Sequence, residues 1–336
     1  MSNRPTIIDV AERAGVSKST VSRVLQGAGE RVSAETQALV WQAIRELGYE
    51  RNAVASSLRT ERTFMVMLVT PDITNPFWPE VARGLQDTVE PAHYSVVLAN
   101  SDWDVEREKH FLQTLRRNRF DALVINPTAV SNADLLALHI PTVVLGVGNS
   151  FPDFDVVGSD SRRGALEAFN YLYVLGHRRI GCIWGQHRAG WAQSRLDGYL
   201  DFQRQHSLPH DERLLVEAPF DRAGGHWAMR QLLALPERPT AVFAANDILA
   251  IGALEAAREA GLNLPGDLSI IGMDDIYAAA MTTPPLTTMA KSKYETGRWA
   301  AQYVLERLAG QAPESGRRRA LPCQLVVRGT TAPPAA

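Results

Sequence analysis

From Phe64 onward, apolar runs recur at regular intervals: Phe64–Val69, Tyr94–Ala99, Ala122–Ile125, Thr142–Leu145, Ile180–Trp184, Ala241–Ala244 and Leu268–Gly272. They do not alternate with polar residues, the pattern of strands covered on both faces. Between them lie stretches with apolar residues at helical spacing: 79–89, 106–117, 164–175, 195–205, 223–235, 248–260 and 296–308. Strand–helix alternation predicts parallel sheets with right-handed crossovers. The strands are too many for one small sheet, so the pattern predicts two α/β subdomains.

The first fifty residues read differently. Thr6 is placed to cap a short helix ending at Ala14, and Gly15 suits the left-handed residue that closes it. Ser17 then caps a second helix in which Val21, Val24 and Leu25 face inward, leaving Lys18, Ser19, Ser22 and Arg23 outward. Ser33 caps a third, with Leu39, Val40, Ala43, Ile44 and Leu47 on one face and Gly48 as its stop. Three short helices with a common apolar face and a tight Ala-Gly-Val turn predict a helix-turn-helix head. Its second helix carries short donors near its start and a cation able to fork onto guanine or grip a phosphate. A small helical hairpin with a solvated polar face is the plainer reading of any one of these residues; the turn between two capped helices favours DNA binding.

Composition adds little. The chain has 336 residues, a formal net charge of −2 and 45% hydrophobic residues, ordinary for a globular protein of one to three domains. Residues 1–60 hold 8 basic and 6 acidic side chains, a weak positive bias. Cys182 and Cys323 form no metal or disulfide framework, and Cys182 reads as buried filler. No signal segment or membrane span is evident, so a cytoplasmic location is expected. An enzyme on a nucleotide-binding fold is disfavoured because Gly146-Val-Gly148-Asn-Ser-Phe lacks the third glycine of a phosphate loop. No cofactor is expected.

Between head and first strand lies Asn52-Ala53-Val54-Ala55-Ser56-Ser57-Leu58-Arg59. It is shorter than the ~12–15 residues at which an isolated helix becomes marginally stable. Two readings stand: a hinge helix that forms when paired with a dimer mate on DNA, with Leu58 as a minor-groove wedge, or a plain linker.

Ligands of open parallel sheets bind beyond the carboxyl ends of the strands. Polar and aromatic residues gather there: Asp72, Asn75, Phe77 and Trp78; Asn100, Ser101 and Asp102; Asn246 and Asp247; Asp274 and Asp275. Helix capping or loop chemistry accounts better for Asn75, Asp102, Asp247 and Asp275. As a series these residues describe a polar cleft with aromatic walls, suited to a sugar.

"TIIDVAERAGVSKSTVSRVLQ" and the segment from Asn52 to Leu58 resemble the head and hinge of the lactose/galactose repressor (LacI/GalR) family, and the likeness continues over nearly the whole chain. The resemblance implies a head (1–50), a hinge and linker (51–62) and a two-lobed effector and dimerisation domain of the type I periplasmic-binding-protein kind (63–336). Its N-lobe would span about 63–160 plus 291–321, and its C-lobe about 161–290 plus 322–331, with three crossovers. It implies a homodimeric transcriptional regulator, a repressor of carbohydrate-metabolism genes, bound to a pseudo-palindromic operator and controlled by a sugar, sugar acid or sugar phosphate. An activator, or a plain solute-binding protein, is the alternative. Lys18, Ser19 and Arg23 would read bases, with Ser22 among the DNA-binding residues on the same face, Thr6, Ser17 and Ser33 would hold phosphates, and Asn52, Ala55 and Leu58 would form the hinge contacts. Arg195 in "RLDGY", Phe220 in "APFD", Asn246 in "AANDILAIGAL", Asp274 in "IIGMDD" and Phe77 in "DITNPFW" match effector-binding positions, with Asp72 and Trp78 beside them. Four residues depart from the pattern. Arg51 replaces a proline and Ser56 an arginine of the hinge. Gly146 stands where several sugar-responsive members are polar, and Lys291 where glutamine is common. The last two suit an anionic effector.

Overall fold

The computed structural model describes residues 5–25, 32–50, 62–185 and 190–335, the side chains of 190–192 excepted. The chain divides into two units, 1–63 and 64–336. Asn52, Ala55 and Leu58, and with them the choice between hinge helix and linker, lie outside the described residues.

The first unit holds helices α1 (Ile7–Ala14), α2 (Lys18–Leu25) and α3 (Ala34–Leu47). Thr6 and Asp9 cap α1 reciprocally: Thr6 N–H donates to Asp9 Oδ2 at 2.6 Å, and Asp9 N–H to Thr6 Oγ1 at 3.4 Å. Gly15 ends the helix at φ 67°, a left-handed geometry that a Cβ disfavours. Ser17 Oγ accepts Thr20 N–H at 3.1 Å at the start of α2, and Ser33 Oγ accepts Thr36 N–H at 3.2 Å at the start of α3. Val10, Ala11, Ala14, Val21, Val24, Val40 and Ala43 form the core, with Leu25, Ile44 and Leu47 against it. Leu39 is not part of this core; it is 46% exposed. At about 100° per residue it lies a quarter-turn off the stripe set by Val40, Ala43, Ile44 and Leu47.

The second unit contains two six-stranded sheets. The N-lobe sheet runs in the order β11-β5-β4-β3-β1-β2, from Arg318–Leu321, Asp155–Ser159, Thr142–Leu145, Ala122–Ile125, Met65–Thr70 and Ser95–Asn100. All its pairings are parallel. The C-lobe sheet runs β12-β10-β9-β8-β6-β7, from Cys323–Val326, Thr287–Lys291, Ser269–Asp274, Ala241–Ala244, Ile180–Gly185 and Leu215–Ala218, with only β10–β12 antiparallel. Helices α4 (Phe77–Val89), α5 (Val105–Arg117), α6 (Asn132–Leu136) and α11 (Lys293–Leu308) belong with the first sheet. Helices α7 (Ser161–Val174), α8 (Gly190–Gln205), α9 (Arg222–Leu233) and α10 (Asp247–Glu259) belong with the second. The chain passes between sheets at residues 160, 292 and 322, where β5 leads to α7, β10 to α11 and β11 to β12.

Central strands are buried throughout, as their unbroken apolar runs predict. β2 departs from that expectation: Ser95 and Val97 are exposed and Val96, Leu98 and Asn100 half-buried, with Ala99 alone buried, as befits an edge strand. No helix among the described residues is long and apolar enough to cross a membrane.

Candidate functional site

Two surfaces carry chemistry. The first is the outward side of α2. Lys18, Ser19 and Arg23 are exposed and Ser22 half-buried, while Val21 and Val24 on the opposite side are closed into the core. Thr6, Ser17 and Ser33 are also exposed, each at a helix N-terminus whose first amides point outward. Such ends attract anions, because unsatisfied N–H groups and the helix dipole act together.

The second is a cleft between the lobes, about 80 Å³ in cavity volume. Its lining comes from strand ends, where parallel packing of crossover helices leaves an opening. The N-lobe contributes Asn75, Phe77 and Trp78 at the start of α4, Trp103 after β2, Asn126 after β3 and Ser159 at the end of β5. The C-lobe contributes Arg195 from α8, Phe220 after β7, Asn246 before α10, Asp274 at the end of β9 and Lys291 at the end of β10. Trp103 and Phe220 stack across the cleft, ring centroids 5.6 Å apart and planes 16° from parallel. Phe220 holds its place because Gly185 has no side chain: a Cβ there would lie 1.6 Å from the ring. It serves as both core aromatic and cleft wall.

The charges of the lining are buried. Arg195 is 5% exposed, Lys291 8% and Asp274 3%. Lys291 Nζ lies 3.0 Å from Asp274 Oδ1 and 5.5 Å from the Phe77 ring centroid. Burial pushes the Lys291 ammonium below its ordinary range, and the neighbouring Arg195 adds to that; Asp274 opposes both. Burial likewise lowers the Arg195 guanidinium against the pull of Asp274. Asn246 Oδ1 caps α10 by accepting Leu249 N–H at 2.8 Å, so its amide NH₂ is the group left to meet a ligand. Asn126 Nδ2 donates to Leu145 O at 2.7 Å, which fixes the amide. Asn126 Oδ1 and Ser159 Oγ, both buried, have no hydrogen-bond partner among the described residues.

Asp274 sits on an unusual corner. Its φ is 122° and that of Asp275 is 56°, a pair of non-glycine residues in the left-handed half of the map. Lys293, buried at the start of α11, donates its ammonium to both carbonyls, Asp274 O at 3.0 Å and Asp275 O at 2.7 Å. Arg328 holds the Asp275 carboxylate at 2.7 Å. A lysine on an N-lobe helix thus fastens the C-lobe corner that carries a cleft carboxylate.

Of the expected cleft residues, Phe77, Trp78, Arg195, Phe220, Asn246, Asp274 and Lys291 come together around this one cavity. Asp72 does not: its carboxylate folds back to accept Thr74 N–H at 2.8 Å and the Thr74 hydroxyl at 2.6 Å, which makes it a loop cap. Asn100 caps Ile73 and Asp102 pairs with Arg107, so neither reaches the lining. Asn75 caps Phe77 N–H, as loop chemistry predicts, and lines the cleft as well. Asp247 and Asp275 are structural. Sequence reasoning missed Trp103, Asn126, Ser159, Ser161 and Thr296. Asn126 directly follows a recognised strand and was accessible to the strand-end rule; Ser159 was not, because β5 went unrecognised.

Residues 6–52 match the family described as bacterial regulatory proteins, lacI family, and residues 169–331 match the periplasmic binding protein-like domain. The transcriptional regulator DegA of Bacillus subtilis is 35% identical over 98% of this chain and 99% of that protein. The transcriptional repressor CytR of Escherichia coli is 35% identical over 97% of this chain and 96% of its own length. A solved structure of the Lac repressor dimer bound to operator and the anti-inducer ONPF superposes with a TM-score of 0.88 at 29% identity, covering 98% of this chain and all of that one. The chain belongs to the lacI family of bacterial regulatory proteins, DNA-binding transcriptional regulators that carry a helix-turn-helix head and a two-lobed effector domain.

Proposed function

We propose that this regulator is a repressor, not an enzyme, that works in the cytoplasm as a homodimer on a pseudo-palindromic operator and answers to a small polar metabolite of carbohydrate metabolism held between its lobes. The observation that carries the reading is the two-sidedness of α2: Val21 and Val24 closed in, Lys18, Ser19 and Arg23 turned out. That face fits a major groove, where Lys18 and Arg23 read guanine edges and Ser19 and Ser22 reach neighbouring bases, each good contact discriminating by ~1–3 kcal/mol. Thr6, Ser17 and Ser33 set register on phosphates through the helix N-termini they cap. Exposed apolar side chains supply surface for the second copy: Val97 on edge strand β2, Ile73 beside it, and Tyr277 and Met281, which are 69% and 75% exposed. In the cleft, Arg195, Asn246, Asp274 and Lys291 bind the metabolite's polar groups, with Phe77, Trp78, Trp103 and Phe220 against its carbon skeleton. Its occupancy shifts the lobes by no more than its difference in affinity for the two arrangements, and the heads respond.

Selection of genomic fragments by the purified protein tests this. A shared two-fold motif should emerge. Lys18→Ala should change which bases are preferred, whereas Ser33→Ala should weaken all sites alike. Recovery of no motif, or identical sequence-blind losses from both substitutions, would remove the assignment.

A further inference from the structure

The cleft's charges do not cancel. Among the described residues its ionisable lining is Arg195, Lys291 and Asp274, all more than nine-tenths buried: two cations against one carboxylate. Lys291 and Asp274 pair at 3.0 Å, and Arg195 lies close enough to both to affect the lysine's proton affinity. A surplus positive charge on side chains this buried is costly, and a ligand that brings one negative charge is favoured over its neutral counterpart. All three groups stand on the C-lobe side. On the N-lobe side the lining polar groups are uncharged. There Asn126 is locked by its donation to Leu145 O, which presents Oδ1 as an acceptor with no partner among the described residues; Ser159 Oγ, lining the same cleft, has none either. An acceptor of that kind asks for a hydroxyl or N–H donor. Between the two ends the stacked Trp103–Phe220 pair and the Phe77–Trp78 edge pair supply apolar wall.

We infer that the cleft takes a hydroxylated anion, a sugar acid or sugar phosphate, bound one way round: anionic group toward Arg195 and Lys291, ring hydroxyls toward Asn126 and Ser159. This deepens the effector reading above and depends on the cleft being the effector site. Charge-assisted hydrogen bonds from the two cations are the stronger contacts and set orientation. Asn126 then separates a hydroxylated anion from a bare one.

The test uses calorimetry on the full chain with matched probes: D-glucose, D-gluconate, D-glucuronate, D-glucose 6-phosphate, D-ribose, D-ribose 5-phosphate and inorganic phosphate. At least one hydroxylated anion should bind about tenfold or more tighter than its neutral parent, equivalent to about 1.4 kcal/mol. The carboxylate and phosphate arms tell the two sources apart. Lys291→Gln should erase the preference for the anion over its parent, and Asn126→Leu should weaken anion and parent together. A melting curve on each variant identifies any that fails to fold, and the wild-type comparison stands without them. Neutral parents binding as tightly as the anions, no anion binding, inorganic phosphate binding as well as the sugar derivatives, or a folded Lys291→Gln protein that keeps its preference would each overturn the inference. Retention of the selected operator is measured in parallel. Loss of DNA binding with anion preference intact would strike the regulatory reading and leave this one standing.

Discussion

The two walls of the cleft are built by the same rule and differ in chemistry. Both are strand ends of largely parallel sheets, yet the N-lobe wall offers amides, hydroxyls and aromatic edges, while the C-lobe wall carries every ionisable lining group among the described residues. The contrast extends behind the walls. Asp155 in the N-lobe and Asp247 in the C-lobe are both fully buried carboxylates. Burial alone would raise Asp155, but hydrogen bonds from Arg317 and Arg307 outweigh it and hold the group at about 2. Among the described residues, Asp247 meets no guanidinium. Burial and the nearby Asp274 push it up to about 7, against the Thr288 hydroxyl at 2.5 Å and the Ile276 N–H at 2.9 Å. Burial by itself does not set the sign of a carboxylate's shift; the charge of its partners does.

The largest effect expected from breaking this contrast is at Asp155. Asp155→Ala leaves Arg307 without its carboxylate and Arg317 with only Glu306, and should cost ~3–5 kcal/mol in urea unfolding at pH 7. Because the folded pKa lies below the unfolded one, wild type should keep this stabilisation above about pH 4 and lose it as pH falls toward 2, a decline the variant lacks. Asp247 has the opposite sign. Its folded state holds a proton that the unfolded chain releases near pH 4, so stability should fall as pH rises from about 4 to about 7 and then level. That is on the order of 2–4 kcal/mol, and Asp247→Asn should flatten it. A wild-type profile that rises across that window with no change in the Asn variant would refute the account of Asp247.

How much of this was legible beforehand follows the same physics. Seven strands declared themselves because they are short and apolar, six of them central and β2 at an edge, and seven helices because one face of each is buried. The strands left unread were of another kind. β7, β11 and β12 are sheet-edge strands with exposed Glu217, Arg318 and Ala320 or half-buried positions; β5 opens on Asp155 and ends on glycine and serine; β10 is rich in threonine, whose hydroxyls are used by Asp247 and Thr331. Where hydrogen bonding replaces apolar packing, the hydropathy pattern loses contrast. In the cleft, residues on recognised strand ends were readable, and Asp72 was misjudged because a strand-end carboxylate can equally cap its own loop. Trp103 is invisible to such reasoning, since its meeting with Phe220 joins two lobes through positions 117 residues apart.

The C-lobe wall can be disturbed without touching a charge. Gly185→Ala puts a methyl where the Phe220 ring lies and should cost ~1–3 kcal/mol through overpacking. Adding Phe220→Leu should recover part of that loss. Additive losses in the double variant would mean that the two positions do not compete for space.

The smallest effect expected concerns the seam between the walls. Lys293 acts on the backbone of the corner itself, holding Asp274 O and Asp275 O while those residues sit at φ 122° and 56°. Left-handed non-glycine residues cost of order 1–3 kcal/mol each and persist only where neighbours enforce them. Lys293→Met keeps the length of the side chain and removes both hydrogen bonds, so the corner should open more often. The Ile276 amide, bonded to Asp247 just beyond the corner, reports that opening directly. Its hydrogen exchange should quicken about tenfold, about 1.4 kcal/mol of local stability, while amides of the N-lobe strand β3 keep their protection. Lys293→Arg, which can still donate to two carbonyls, should restore most of it. If exchange quickens equally at Ile276 and in β3, Lys293 supports the fold as a whole; if it quickens at neither, the two-carbonyl grip does not hold the corner, and the left-handed pair is fixed by Arg328 and the strand alone.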